Sequence, residues 1–317
     1  MYHCQYATNR YNLAVHICNY GKKEKTKIAV KNVVFDHGIN IFYRRYDSGG
    51  KTSFSMIQKE FYENHSDYDF IWFCTDCACP NFAKAFERLQ QAKEKGISCI
   101  LTNPFSGADS SKKEDKIVAS ASLELFGKHI EKLIALGGVI VSKDMAKQLS
   151  CCSFEQCNPA FWQFSALARV WAKQPLSVMI CNEYLFYYND RPPYFCATDF
   201  KTGILEFWTN EWCRTLKELP PAYTQLRKAW FKIDDSPYSP LQLMNLIYWR
   251  ADGTYNMQIY RRIERNLSVV TRKSLKRMKL IALLPASLCR LCIRYQQKKP
   301  VRIIMEIYRI CFTRSEM

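Results

Sequence analysis

The chain has 317 residues, of which 48% are hydrophobic and 24% charged. That is enough apolar material for a buried core and too much for a disordered chain. Lys and Arg outnumber Asp and Glu by 46 to 29, a net charge of +17, and a surplus that large points to an anionic partner. The candidates are nucleic acid, a phosphorylated small molecule and an acidic membrane surface. No run of about eighteen apolar residues is present, so no bilayer-spanning segment is expected. No apolar stretch follows a basic stub at Met1–Cys4, so no secretory signal is expected either. The 15 cysteines are then expected as free thiols in a reducing cytoplasm, and an odd number argues against a closed disulfide framework.

In chain order, the apolar run Leu13–Cys18 predicts a strand that exits at Asn19-Tyr20-Gly21. A basic polar stretch from Lys22 to Lys31 leads through Val33, Val34 and Phe35 to a helix stop at His37-Gly38. A second strand is expected over Ile39–Arg44, ending in Tyr46-Asp47-Ser48-Gly49-Gly50-Lys51, and then a helix over Ser53–Asn64. Phe70-Ile71-Trp72-Phe73-Cys74 is apolar throughout, as strands buried on both faces are. A helix from Asn81 to Lys95 is broken by Gly96, and Ile97–Leu101 gives a fourth strand. Alternating strands and helices with short connections predict an α/β domain with a mostly parallel sheet covered on both sides. Ligands bind such sheets at the carboxyl ends of the strands. That rule selects three loops: Asn19-Tyr20-Gly21, Asp47–Gly50 and Thr75–Pro80. The Gly-Gly turn offers backbone amides to a phosphate or is simply a turn; it is neither a Walker loop nor a complete dinucleotide fingerprint.

The charge is concentrated. Residues 258–317 hold fifteen Lys and Arg against three acids, which is twelve of the net +17. Within them Leu275, Met278, Leu280, Ile281 and Leu284 alternate with Lys276, Arg277 and Lys279. The segments Leu288–Tyr295 and Val301–Ile310 repeat that pattern after Pro285. Short helices with an apolar face and basic flanks have the make-up of interfacial segments on an anionic leaflet. The alternative is a helical domain packed on the core with a solvated basic face. Nucleic acid ranks last, because no helix-turn-helix, zinc-finger or ribonucleoprotein pattern accompanies the charge.

The three loops in this order, with Tyr68-Asp69-Phe70-Ile71-Trp72-Phe73 leading into an acidic turn and Pro80, resemble the family 2 glycosyltransferases of the GT-A fold. The bacterial O-antigen and capsular polysaccharide enzymes are the most similar group. The resemblance covers about residues 10 to 230, and its specific stretch is Asp67 to Pro80. It implies a hexosyltransferase-like enzyme that moves a sugar from a nucleotide donor to a lipid-linked or growing saccharide acceptor. Asn19 and Tyr20 match the first loop, against the nucleotide base. Asp47, Ser48, Gly49 and Gly50 stand where the family has either its base-binding aspartate loop or its later Asn-x-Gly-Gly turn. Leu136–Asp144 resembles the strand edging the acceptor site, and Leu216–Tyr223 a segment common after the catalytic domain. The basic helices are similar to the membrane-attachment tails of the group. The division so implied is a transferase domain over 1–215, a connecting helical segment over 216–257 and a basic helical tail over 258–317.

The family's acidic turn uses two carboxylates to hold Mg²⁺ or Mn²⁺ against the donor diphosphate, since hard cations want oxygen ligands. Here the turn reads Thr75-Asp76-Cys77. Asp76 either holds the metal alone with water and phosphate oxygens, or cationic side chains neutralise the diphosphate without metal, or the chain is an inactive transferase-fold scaffold in a polysaccharide assembly complex. Asp67-Tyr68-Asp69 precedes the strand, about 16 Å from the carboxyl edge, and is rejected as the metal site. An inverting transfer needs a general base. Glu155, in Ser153-Phe154-Glu155-Gln156, is the candidate and Asp144 the runner-up; a surface or capping glutamate is the bland alternative.

Cys74-x-x-Cys77-x-Cys79 with Cys151, Cys152 and Cys157 invites a zinc reading, but buried thiols usually act as small apolar residues. The aromatic groups around Phe161–Phe164, Trp171, Trp208 and Trp212 suit core packing as well as sugar stacking.

Overall fold

The computed structural model describes residues 14–19, 40–45, 54–65, 67–74, 78–103, 115–188, 203–226, 231–233 and 239–298. The expectations for Tyr20, Asp47–Gly50, Asp76, the 22–38 segment and the last basic run at 301–310 lie outside the described residues. The chain divides into two compact units, Met1–Pro193 and Tyr194–Met317. Residues 203–215, assigned from sequence to the transferase domain, thus fall in the second unit.

In the first unit β1 (Ala14–Asn19) and β2 (Asn40–Arg45) form a parallel pair in register Ala14↔Asn40 to Asn19↔Arg45. A separate five-stranded sheet has the order β3-β7-β5-β8-β6, from β3 (Phe70–Trp72), β5 (Cys99–Leu101), β6 (Lys116–Ala121), β7 (Val139–Ser142) and β8 (Leu176–Ile180). A short antiparallel ribbon joins β4 (Ala78–Pro80) to β9 (Phe186–Tyr188).

The expectation of a mostly parallel sheet is corrected. Within the five strands only β5 and β8 pair in parallel; β7 runs antiparallel to both β3 and β5, and β6 antiparallel to β8. The hydrophobic signal of a strand buried on both faces is the same in either direction, so periodicity carries no information about its sense.

The sheet is covered on both faces, as alternation along the strands requires. Ile100, Ile140 and Met179 share one apolar cluster with Ala92 of α2 (Phe82–Glu94). On β5, Cys99 lies close to Tyr62 of α1 (Phe54–Asn64), a fully buried phenol. Two short helices, α3 (Leu123–Lys128) and α4 (Ile130–Ile134), precede β7. After β7 come α5 (Lys143–Ser150), a 3-10 turn at Pro159–Phe161, and α6 (Trp162–Lys173). The buried indoles on α6 are satisfied: Trp162 donates to the Cys152 carbonyl at 3.2 Å and Trp171 to that of Ala121 at 2.9 Å. An unpaired buried N–H costs about 1–3 kcal/mol, so these bonds hold the packing to one arrangement.

The second unit, as far as it is described, is helical. Ile204–Glu206 (α7), a π-helical turn Phe207–Glu211 and Trp212–Lys217 (α8) run on in succession. After a 3-10 turn at Pro221–Tyr223 come α9 (Leu243–Asp252), α10 (Met257–Val270), α11 (Leu275–Leu283) and α12 (Ala286–Lys298). Gly253 ends α9 at φ 93°, a left-handed cap that only glycine adopts at little cost. Tyr255 donates to the Met278 carbonyl at 3.0 Å, and Met278 and Ile281 are fully buried.

The basic helices are therefore built into a folded unit. Two of their neighbouring cations act as helix caps: Arg250 donates to the Leu284 carbonyl at 2.6 Å and Arg290 to that of Ala251 at 2.9 Å. No helix among the described residues is long and apolar enough to cross a membrane.

Candidate functional site

β3, β5 and β8 point the same way, so their carboxyl ends share one edge with the amino ends of β6 and β7. Polar side chains from five segments gather there. Thr102, directly after β5 and fully buried, donates its hydroxyl to the Gly137 carbonyl at 2.6 Å and its amide to that of Gly138 at 2.9 Å. Trp72 of β3 donates its indole N–H to the same Gly137 carbonyl at 2.9 Å. The strand Val139–Ser142 that resembled an acceptor-side element thus begins at this edge, tied to both β3 and β5.

Beyond β8, the Asn182 amide donates to Asp115 Oδ1 at 2.8 Å, and the Asn103 side chain reaches the Asn182 carbonyl at 3.4 Å. Asp115, immediately before β6, pairs through Oδ2 with Arg88 Nε. Arg88 also reaches Glu183 at 3.2 Å through Nη2, and Lys84 meets the other oxygen of Glu183 at 3.2 Å. Burial works against the Arg88 charge, but Asp115, Glu87 and Glu183 more than compensate and hold its pKa above the ordinary value. Lys132 of α4 donates to the Cys181 carbonyl at 3.1 Å. Burial lowers its pKa, opposed by Cys181 and Asp115.

None of Lys84, Arg88, Thr102, Asn103, Asp115, Lys132 or Glu183 was singled out from sequence. Asp115 and Glu183 do sit at the ends of hydrophobic runs, a position that could have drawn attention. Nothing local marks Arg88, which arrives from the middle of α2.

Asn19 is the last residue of β1; Tyr20, Asp47, Ser48, Gly49, Gly50 and Asp76 lie outside the described residues. Both flanks of the acidic turn are described: β3 ends at the carboxyl edge, and β4 follows the turn and pairs with β9. Asp69 lies at the opposite, amino edge, where its carbonyl accepts from the Lys143 amide at 3.0 Å and its carboxylate meets Lys93 at 2.8 Å, in keeping with its rejection.

Asp144, the runner-up base, occupies the first turn of α5 beside the N-cap Ser142. Because β7 is antiparallel, that turn sits at the amino edge with Asp69, and Asp144 is removed from candidacy. Glu155 is exposed in the loop between α5 and α6. α6 leads into the amino end of β8, so its own start, and this loop with it, lies toward the carboxyl edge.

Among the described residues no three His, Cys, Asp or Glu side chains come together as a metal-binding group. Asp115 and Glu183, the carboxylates at the carboxyl edge, are engaged by Arg88 and Lys84. Neither Asp115 nor Glu183 is therefore an open carboxylate for Mg²⁺ or Mn²⁺. The cysteines whose side chains are described are free thiols. Burial pushes Cys74, Cys99 and Cys181 up to about 12, which suits apolar packing rather than ligation.

No family model matches the sequence, and no curated protein matches it. Among solved structures, a similar chain is that of S. aureus TarS 1-349. It is 13% identical, with 92% of this chain and 84% of that chain covered, at a TM-score of 0.41. At that score the likeness has no bearing on function.

Proposed function

We propose that the chain is a cytoplasmic glycosyltransferase of the GT-A type, acting on a nucleotide-sugar donor and a saccharide or polyprenyl-linked acceptor in cell-surface polysaccharide synthesis. The observation that carries the reading is that β3, the strand of the family-like Asp67–Pro80 stretch, runs in the same direction as β5 and β8. β3 thus ends at the edge where Thr102, Asn103, Asp115 and Arg88 gather, which is the edge that binds ligands in open α/β sheets.

In this reading Asn19, Tyr20 and Asp47–Gly50 hold the nucleotide, and Asp76 lies against the diphosphate. The acceptor hydroxyl attacks the anomeric carbon, the bond from that carbon to the phosphate oxygen breaks, and the nucleotide leaves with the bonding electrons. Glu155 takes the hydroxyl proton. A divalent cation, where the enzyme uses one, would be held by Asp76 and would neutralise charge on the diphosphate.

A thermal-shift panel with UDP-, GDP-, dTDP- and CMP-sugars, each with and without Mn²⁺, tests it. A donor at a hundred times its dissociation constant adds about 2.7 kcal/mol, a rise of several degrees. One nucleotide class should give that shift in the wild type. Asp76→Ala should abolish the shift and sugar transfer while melting as the wild type does without ligand. A folded protein that responds to no donor is instead the inactive scaffold.

The same proposal places the enzyme at the inner face of the cell membrane. Leu280, Leu283, Leu288 and Leu291 stand 39%, 57%, 43% and 50% exposed on α11 and α12, among Lys276, Lys279, Arg290 and Arg294. Apolar anchors with basic flanks suit an anionic leaflet, each cation contributing about 1 kcal/mol. Leu283→Glu with Leu291→Glu should cut co-sedimentation with phosphatidylglycerol vesicles at least about tenfold, the equivalent of 1.4 kcal/mol, without lowering Tm. Equal binding by the double variant would remove this surface from the proposal.

A further inference from the structure

Basic side chains gather at the β6–β8 end of the sheet, apart from the strand that carries the Asp67–Pro80 stretch. β8 stands three strands from β3 in the sheet order, about 14 Å away at ordinary strand spacing. Lys116, the first residue of β6, pairs with Ile180, the last of β8, so it sits at the carboxyl edge. Lys132 of α4 donates to the carbonyl of the next residue, Cys181, at 3.1 Å. The two lysines thus reach neighbouring positions of one strand pair.

They also share a face. Ile117 packs with Ile100, Ile140 and Met179 on the α2 side, so alternation turns Lys116 to the other side. That side is covered by α1 and α6, whose Tyr62 and Trp162 rings lie 6.0 Å apart, and α4 packs on α6. Half-buried His129 joins the group at the start of α4, where its carbonyl accepts from the Lys132 amide at 3.0 Å. Side chains three apart on a helix are neighbours. Burial, and then the charges of Lys132, Lys116 and Lys128, hold the His129 pKa down at about 4. Lys128 is paired with Glu124 at 2.7 Å. Among the described residues neither Lys116 nor Lys132 meets a carboxylate within 4 Å. Asp115 favours the Lys132 charge, but its carboxylate is held by Arg88.

We propose that Lys116, His129 and Lys132 form a subsite for the diphosphate group of a substrate. The two ammonium groups supply charge, and the neutral imidazole supplies an N–H donor. Lys132 spends one N–H on a neutral carbonyl and keeps two for the ligand. A nucleotide donor and a prenyl-linked acceptor carry the same diphosphate, so competition between them decides the source. That choice rests on the proposed transferase reading, whereas the anion site does not.

The test titrates inorganic pyrophosphate into the full chain by calorimetry. The wild type should bind it, and Lys132→Met and Lys116→Met should each bind at least about tenfold more weakly, the equivalent of 1.4 kcal/mol. Lys132→Arg should restore most of the affinity, since it keeps the charge and the donors. Lys116 is an exposed side chain at a strand end, so its variant reads the site even if Lys132→Met unsettles α4. Lys93→Ala removes an exposed charge at the opposite edge and should leave the affinity unchanged. A wild type that does not bind pyrophosphate, or lysine variants that bind it as the wild type does, would overturn the site. An equal loss in Lys93→Ala would do the same, because it would make the effect one of net charge. Displacement of pyrophosphate by UDP, GDP or dTDP assigns the subsite to the donor, and displacement by geranyl diphosphate alone assigns it to the acceptor. Displacement by neither overturns it as a substrate subsite. Pyrophosphate and geranyl diphosphate binding in a protein that no nucleotide-sugar stabilises would leave the subsite standing and remove the transferase reading.

Discussion

Replacing Arg88 with alanine should lower the stability of the first unit by about 3–5 kcal/mol, visible as a fall in Tm of about 10 °C. The side chains of Arg88 and Asp115 are only 18% and 13% exposed. Removing the guanidinium strands a carboxylate whose other oxygen is already fixed by the Asn182 amide. The penalty is mainly that of leaving a desolvated charge unpaired, which exceeds any gain the pair itself contributes. Arg88→Lys should recover only part, because an ammonium cannot span Asp115 and Glu183 as the guanidinium fork does. Lys93→Ala is the control. Its partner Asp69 is 55% exposed and Lys93 itself 64%, so that loss should stay below about 1 kcal/mol. Denaturant unfolding of the three variants decides the matter, and equal losses for Arg88→Ala and Lys93→Ala would refute the assignment of the Arg88 cluster as the buried tie of this edge. Under the proposed function, Arg88→Ala should also lose the donor-induced thermal shift, since Asn103, Asn182 and Asp115 form one linked group.

Gly138→Ala is the second large effect, about 3 kcal/mol of destabilisation. A Cβ there would lie 1.9 Å from the Lys132 carbonyl oxygen and 3.0 Å from that of Ala135. Both are backbone atoms, so no side chain can turn aside, and α4 would have to move off the start of β7. The shift would pull on the Thr102 bonds to Gly137 and Gly138 and so open the same edge. Gly253→Ala separates crowding from conformational strain. Its Cβ would meet nothing within 4 Å, but the residue sits at φ 93°, and a left-handed non-glycine residue costs about 1–2 kcal/mol. Thermal unfolding should rank Gly138→Ala as the more damaging. The reverse order would mean that the sheet edge tolerates displacement.

Some of this molecule could be read from residue order alone. The apolar run Phe70–Cys74 is β3 and its exit, and Asn81 and Gly96 bracket α2 as a capping asparagine and a positive-φ stop. Such features are local: a period of burial, a side-chain cap and a permissive glycine need only neighbours within a few residues. The same applies to the helical character of Leu275–Leu283, and to the position of Asp69 before its strand rather than after it.

Direction, order and company were decided elsewhere. β7 inserts antiparallel between β3 and β5, which turned a mostly parallel expectation into a mixed sheet and carried Asp144 to the wrong edge. The basic helices of the second unit bury Met278, Ile281 and Cys289 and lend Arg290 to a neighbouring helix end, so the described part of the segment read as a basic helical tail is part of a folded unit. Arg88, Asp115, Lys132 and Glu183 come from separate stretches and meet only when the sheet is assembled. Composition and periodicity report what each segment must bury. Which segments bury one another depends on long-range packing, and a buried strand or an ion pair presents the same local pattern whichever partner it finds.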